Sequence, residues 1–481
     1  MRTRNLLRPL IIFAMVALSF STFSVQKPVS AAAAALTPHQ IAERNKPGVV
    51  MIYTAWKTHI VVPEPDLDKS QLPLLVARAK QYIRQGDFPN TQQGLAAALV
   101  REVLYNFLDY VKPGVNLIKK DVETGAIGTG FIITPDGYIV TNAHVVYAEE
   151  DYLKWQLTQT ALKSIIEKDV EEFTKDAAEM DVGISDETMA VGIKNASAYY
   201  IEHMQIDKIE TKIFTEMGVA VPGLQAIQRG FGSEIRKRGE PIPGKDIAIL
   251  KIDKNNLPTV PIGDDSVLTT GDKVFVIGYP GAATFNELLS EESTIEPTMT
   301  AGLVSAKKTM QGGWDVFQTD AAMTHGNSGG PVFNEKGEAI GIATFGSVDY
   351  STGAEVAGMN FLIPISVAKQ FLRELNITPT ESGLTKTYVQ GLVDYDNEYY
   401  SAALEKFREV NELNPGYPYV QQNISDARIA INEGRDRTTS SWWIYAVVAV
   451  GGLLLVVLLG LGGFLLLRAR TGNRLNVPAH P

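Results

Sequence analysis

Thr324-His325-Gly326-Asn327-Ser328-Gly329-Gly330-Pro331 is the stretch on which the fold turns. A serine flanked by glycines suits a tight turn, because glycine takes positive φ without a Cβ clash. Its hydroxyl then stands exposed while neighbouring backbone N–H groups converge. On this reading Ser328 is a candidate nucleophile. The N–H groups of Gly326 and Ser328, with Asn327 between them, form a candidate oxyanion hole. Turns of this kind are more often linkers, so the meaning of this one depends on a base and an orienting carboxylate elsewhere in the chain.

Both have a suitable context. Thr141-Asn142-Ala143-His144-Val145-Val146 follows a hairpin pattern in which Gly130 to Ile133 and Tyr138 to Val140 flank Pro135-Asp136-Gly137, so His144 falls at the end of a strand. Lys245-Asp246-Ile247-Ala248-Ile249-Leu250 sets a carboxylate directly before an apolar strand. Taken singly, His144 reads equally well as a core histidine and Asp246 as a turn aspartate. Together, in the order His, Asp, Ser, they match the chain order of chymotrypsin-type double barrels and of neither subtilisins nor α/β-hydrolases. Further β-rich segments at 247–252, 273–277, 331–333, 339–344 and 358–362 fit an all-β barrel or sandwich.

Five segments carry a wider likeness: Gly128-Thr129-Gly130-Phe131, Thr141 to His144, Asp246 to Lys251, Gln318-Thr319-Asp320-Ala321-Ala322, and Gly326 to Pro331. In this order they resemble the trypsin-like serine endopeptidases of the bacterial HtrA/Deg type, over roughly Lys46 to Phe371. The resemblance implies a mainly β fold, a chymotrypsin-type double β-barrel with helical insertions. It also implies peptide-bond hydrolysis on polypeptide substrates with no metal or other cofactor. Ser328 would be the nucleophile, His144 the general base and then acid, and Asp246 the residue orienting the imidazole. Ala322 stands six before Ser328, where trypsin-like pockets selective for Lys or Arg carry aspartate. Thr344, Phe345 and Gly346 would line the pocket wall and favour a small or medium apolar side chain. Asp320 would be structural. The chain departs from the family's usual pattern in three ways: it carries no PDZ domain after the barrels, it has Thr324-His325 before the turn, and about a hundred residues separate His144 from Asp246.

The 481 residues suit two or three domains, and 45% apolar with 20% charged residues suits packed ones. With 54 acidic against 44 basic side chains the net charge is −10, which gives no electrostatic footprint for nucleic acid. The absence of cysteine removes disulfides, thiolate metal sites and cysteine nucleophiles. Glu202-His203 lacks the second histidine of a zincin helix.

Residues 1–35 read as a secretory signal, with Arg2, Arg4 and Arg8 before a short apolar run and a small-residue stretch from Ala31 to Ala35. Residues 36–375 form the expected protease domain. Helical insertions are expected near 71–118, from the steps of four linking Leu95, Leu99, Val103, Phe107 and Val111, and near 149–216. Glu149 to Glu187 holds twelve acidic and four basic residues, a solvated face or a docking surface for a basic partner. Across 378–436, Gly391, Ala403, Phe407 and Pro415 keep tetratricopeptide spacing, which would give a helical hairpin with a candidate protein-docking surface. Trp442 to Leu467 is uncharged and long enough to cross a bilayer. Trp442, Trp443 and Tyr445 flank one end, and Arg468, Arg470 and Arg474 the other, so the expected topology leaves 468–481 cytoplasmic and the rest outside the cell membrane. No sequence feature specifies an oligomeric state. The competing reading from another functional class is an inactive protease-fold scaffold or chaperone that binds peptides.

Overall fold

In the computed structural model the described residues are 35–218, 230–284, 296–348, 355–438 and 442–472. They fall into two compact units, one reaching Thr385 and including Gly416–Pro418, the other comprising Lys386–Pro415 and the chain from Tyr419 onward. The expected leader lies outside the described residues except for Ala35.

The first unit contains two closed antiparallel barrels. Strands β1 (Val49–Leu67), β2 (Val111–Ile132), β3 (Tyr138–Thr141), β4 (Gln205–Ile206), β5 (Glu210–Met217), β6 (Phe231–Arg238) and β7 (Ala248–Ile252) make one sheet in the order β2-β3-β7-β6-β5-β1-β4. The additional pairing of β2 with β1 closes it. Strands β8 (Lys273–Gly278), β9 (Thr298–Thr309), β10 (Asp315–Thr319), β11 (Pro331–Phe333), β12 (Ala339–Val348) and β13 (Glu355–Pro364) close the second barrel in the order β10-β13-β12-β11-β8-β9.

Side chains alternate between the two faces of a strand, and that period explains the long apolar runs. Along β7, Ala248, Leu250 and Ile252 enter one core, while Ile249 and the preceding Ile247 enter another. Val274 and Val276 of β8 likewise belong to a third core, whereas Phe275 and Ile277 join Ile247 and Ile249. The shared cluster therefore lies between the barrels and includes Val49, Phe131 and Val140 from the first and Phe333 and Ile342 from the second. Fully burying each such side chain contributes roughly 1.5–3 kcal/mol, which makes this contact the main support for geometry that depends on both barrels. Helix Ile365–Glu374 lays a stripe of Ile365, Ala368, Phe371 and Leu372 onto the same cluster.

The β structure begins at Val49, well before the first hairpin legible in the sequence. β1 and β2 pair from Val49↔Phe131 to Leu67↔Val111 with one register shift between Pro63 and Pro65. The first insertion is mounted on the end of this ribbon: it is helical over Leu72–Gln85, Gln92–Tyr105 and Phe107–Tyr110, then becomes strand at Val111. The helical spacing thus ends at Phe107, because cross-strand pairing with β1 takes over the segment carrying Pro113 and Gly114. The second insertion, expected over 149–216, is helical over Glu150–Glu179 and Asp186–His203 and then supplies β4 and β5. Its first helix turns Leu153, Leu157 and Ala161 onto Trp56, Ile60 and Val122 of the ribbon.

In the second unit, helices Tyr400–Leu413 and Val420–Asn432 follow Gly383–Asp396. A Cβ on Gly391 would come within 2.7 Å of the Phe407 ring, so glycine is needed for this close approach. The helix Trp442–Gly472 contains a 23-residue stretch, Ala446–Arg468, long and apolar enough to cross a membrane.

Candidate active site

Strand pairing brings the base and carboxylate segments together. Thr141 at the end of β3 pairs with Ala248 at the start of β7, so His144, three residues later, and Asp246, two residues earlier, emerge at the same edge of the first barrel. Asp246 is fully buried. One oxygen accepts the His144 backbone N–H at 2.9 Å, and the other lies 2.6 Å from His144 Nδ1. The Thr344 hydroxyl donates to that second oxygen at 3.1 Å, and the Asn142 side-chain amide donates to the Asp246 carbonyl at 2.7 Å. The buried carboxylate is thus satisfied by three donors, a requirement for keeping charge out of water at tolerable cost. The bond at Nδ1 places a proton there in the neutral imidazole and leaves Nε2 as acceptor.

The serine turn comes from the second barrel and is stitched to the first. Thr129 of β2 does most of this: its N–H donates to the Ser328 carbonyl at 2.8 Å and its hydroxyl to the Gly326 carbonyl at 2.7 Å. That hydroxyl also accepts the Tyr279 N–H at 2.9 Å, and the Thr129 carbonyl accepts the Thr141 hydroxyl at 2.7 Å. Gly329 N–H donates to the Ala343 carbonyl, and Ala343 N–H returns the bond to Gly330, fixing the turn to β12. Gly326 has φ +99°, and a Cβ there would meet the Tyr279 carbonyl at 2.2 Å. Conformation and space both demand glycine.

Ser328, His144, Thr344, Phe345, Gly346 and Asn327 border one cleft of about 430 Å³. Ser328 Oγ donates to the Thr344 carbonyl at 2.8 Å. A hydroxyl has one proton to give, so in this arrangement it is not donating to His144. Among the expected oxyanion donors, the Asn327 N–H is already engaged by the Thr324 carbonyl at 3.1 Å, because the turn closes on itself there. Among the described residues the N–H groups of Gly326 and Ser328 have no acceptor, which reduces the candidate hole to those two.

Ala322 is not among the residues bordering the cleft; it is exposed, and its carbonyl accepts the Thr300 hydroxyl at 2.7 Å. Met323 lines the cleft in its stead, with Asn360 of β13 and with Pro241 and Ile242 ahead of Asp246. Asn360 is buried and donates to the Ala321 carbonyl at 2.8 Å. Phe345 stacks on Phe361 with centroids 4.7 Å apart. Asp320 is exposed and accepts the Leu303 N–H at 2.6 Å, a backbone clamp outside the cleft lining. Sequence reasoning missed Asn360, Ile242 and the bracing roles of Thr129 and Asn142, although both bracing residues lie inside motifs it singled out.

Two closed barrels, with a buried aspartate bonded to a partly exposed histidine and a glycine-framed serine beside that histidine on one cleft, define a trypsin-like peptidase fold. Residues 128–342 match the family model described as "Trypsin-like peptidase domain". A Pseudomonas putida protein named "Probable periplasmic serine endoprotease DegP-like" is 30% identical over 249 residues, 51% of this chain and 34% of its own. A Hahella chejuensis protein of the same name is 37% identical over 136 residues, 28% of this chain and 26% of its own. This chain therefore spans about a third or less of the length of these relatives. The solved structure "HtrA-type protease AlgW with decapeptide" aligns over 71% of this chain and 68% of its own at 19% identity, with a TM-score of 0.36. Residues 128–342 thus match a trypsin-like peptidase domain, and about half of the chain is similar to part of proteins named DegP-like serine endoproteases.

Proposed function

We propose that the chain is a membrane-anchored endopeptidase that cleaves unfolded or membrane-associated polypeptides outside the cytoplasm. Ser328 serves as nucleophile, His144 as general base and Asp246 as its orienting carboxylate. The observation that carries this reading is the 2.6 Å bond from the buried Asp246 to Nδ1 of His144, which borders the same cleft as Ser328. A rotation about the Ser328 Cα–Cβ bond releases the hydroxyl from the Thr344 carbonyl and offers its proton to His144 Nε2. Oγ then attacks the scissile carbonyl carbon. The oxyanion is held by the N–H groups of Gly326 and Ser328, and the imidazolium returns its proton to the leaving amine. Water repeats the sequence on the acyl-enzyme and frees the serine.

Anchoring rests on the Ala446–Arg468 stretch, and the extracytoplasmic side on its arginine flank together with the expected leader. The Gly391–Phe407 approach supports the tetratricopeptide reading of 378–436, on which the region would serve as a spacer or dock a protein partner. The Ser328–Thr344 bond favours a second reading, a peptide-binding scaffold with its hydroxyl held away from the base. A fluorophosphonate probe separates them: stoichiometric labelling of Ser328 in the full-length protein supports the peptidase, and no labelling under conditions that label trypsin supports the scaffold.

A further inference from the structure

Strand β13 carries an asparagine where the second barrel meets the cleft. Asn360 pairs with Thr319 of β10 on one side and with Gly346 of β12 on the other, and β12 is irregular on both sides of that pair, between Ala343 and Gly346 and between Gly346 and Val348. Irregular pairing of this kind re-aims side chains. Asn360 is 5% exposed and borders the same cleft as Ser328 and His144. Its amide nitrogen donates to the Ala321 carbonyl at 2.8 Å. A carbonyl only accepts, so this bond fixes the orientation of the amide and leaves Oδ1 as its free end. That end lies under Gly346: a Cβ there would meet Oδ1 at 2.9 Å and, its chain neighbours aside, no other described atom within 4 Å. Among the described residues Oδ1 receives no donor, and it is not sealed from solvent.

The surroundings make that acceptor selective. Met323, Ala343, Phe345 and Gly346 border the cleft with it, and Phe345 is held by its stack on Phe361. The Thr344 hydroxyl is committed to Asp246. Among the described residues bordering the cleft none is acidic. Ser328 Oγ stands 2.8 Å from the Thr344 carbonyl. A peptide whose carbonyl carbon meets Oγ, with its oxygen at the Gly326 and Ser328 N–H groups, therefore brings the side chain before the scissile bond, P1, alongside Thr344 to Gly346. We propose that Asn360 sets P1 specificity: its Oδ1 accepts a hydrogen bond from an uncharged donor side chain, so the substrates are polypeptides cut after threonine, serine, asparagine or glutamine in preference to aliphatic residues. An aliphatic P1 seals Oδ1 from water without replacing the lost bond, a cost that a donor avoids. A lysine brings charge into a slot with no carboxylate, and an acidic side chain sets one acceptor against another. The apolar preference expected from Thr344, Phe345 and Gly346 thus gives way to a polar one. The inference rests on the peptidase reading for turnover alone.

The full-length protein is given internally quenched peptides identical except at P1, in two pairs of similar size: threonine against valine, and asparagine against leucine. The donor should lead by about ten- to a hundredfold in kcat/KM in at least one pair. Asn360→Leu should erase or reverse that lead. A residue that only braces the Ala321 carbonyl would lower every peptide by one factor, so unchanged ratios in the variant overturn the proposal. An aliphatic member that equals or leads its partner in both pairs on the native protein overturns it as well. Should Asn360→Leu fail to fold, Asn360→Gly removes Oδ1 and widens the slot, and must shift the lead to leucine. Titration of Ser328→Ala with peptides ending at P1 reads the pocket without turnover, and the same order is expected in Kd. No hydrolysis of any peptide, with that order kept in binding, would reject the peptidase reading and leave the role of Asn360 standing. No hydrolysis and no order in binding would overturn both.

Discussion

The backbone N–H of Gly281 donates to the carbonyl of His325 at 2.7 Å. The His325–Gly326 peptide is trans, so its N–H points opposite to that carbonyl, and the bond from Gly281 fixes which way the Gly326 donor faces. Thr129 fixes the next peptide by binding the Gly326 carbonyl. The candidate oxyanion hole is therefore set by residues of two barrels, none of which supplies a donor to it.

Replacing Gly326 by alanine tests this. The new Cβ would meet Tyr279 O at 2.2 Å and Gly281 N at 2.7 Å, and φ +99° strains any L side chain. The peptide must turn and withdraw its N–H. Losing one oxyanion donor costs about 10²–10³ in turnover, so Gly326→Ala should lower kcat by that amount with a native circular-dichroism spectrum and a largely retained KM. An active variant would place the oxyanion elsewhere.

Ser328→Ala should abolish peptide hydrolysis, with a loss of ~10⁴–10⁶ typical of triad nucleophiles. No other hydroxyl lies between Gly326 and Gly330 to take its place. Thermal stability should barely move, because the hydroxyl's bond, to the Thr344 carbonyl, is a neutral one contributing about 1 kcal/mol. Substantial residual turnover in purified variant protein would refute the assignment.

Much of this site was legible because its chemistry is local in sequence: His144, Asp246 and the Gly326–Gly330 turn each sit beside a strand whose alternation or glycine content announces it. What was not legible depends on pairing at a distance. Nothing near Val49 or Val111 signals a ribbon spanning Leu67↔Val111 to Val49↔Phe131, since each strand is fixed by the other across inserted helices. Val111 fits a helical step of four as well as a strand, and tertiary pairing decides. Ala322 shows the same limit on a smaller scale. Counting back from Ser328 locates it along the chain, but the Thr300–Ala322 bond and the entry of Met323 decide which side chain reaches the cleft.

Asp246→Asn and Asp320→Asn should separate a catalytic from a structural carboxylate. An asparagine at 246 keeps size but offers His144 Nδ1 the wrong partner, and a fall in kcat on the order of 10⁴ is expected with the fold intact. Asp320 is exposed and clamps only the Leu303 N–H, so its variant should lose at most about 1–2 kcal/mol of stability and little turnover. The opposite pattern in two folded proteins would exchange their roles.

Thr344 was expected to be pocket wall and instead also donates to Asp246 Oδ2. Thr344→Val keeps the shape and leaves that buried oxygen one donor short. Hydrogen bonds to charged groups contribute roughly 1.5–3 kcal/mol, so kcat/KM should fall about ten- to a hundredfold across peptides of different P1 residue. A change confined to P1 selectivity would restrict Thr344 to the wall. Thr344→Ser should restore most of the loss.

The last expectation concerns which side of a membrane the cleft faces. If Ala446–Arg468 crosses the bilayer with Arg468, Arg470 and Arg474 on the cytoplasmic side, both barrels lie outside. Only about a dozen residues then remain within. Protease added to intact spheroplasts should digest the barrels and spare a tag placed after Pro481. Moving the cationic flank should weaken the orientation, so replacing the three arginines by glutamine and adding lysines before Trp442 should produce a mixed population with some tags exposed. Digestion of the tag with protection of the barrels in the native sequence would invert the topology. It would also confine the endopeptidase to cytoplasmic substrates, leaving the signal-like leader and the arginine flank without the role assigned to them.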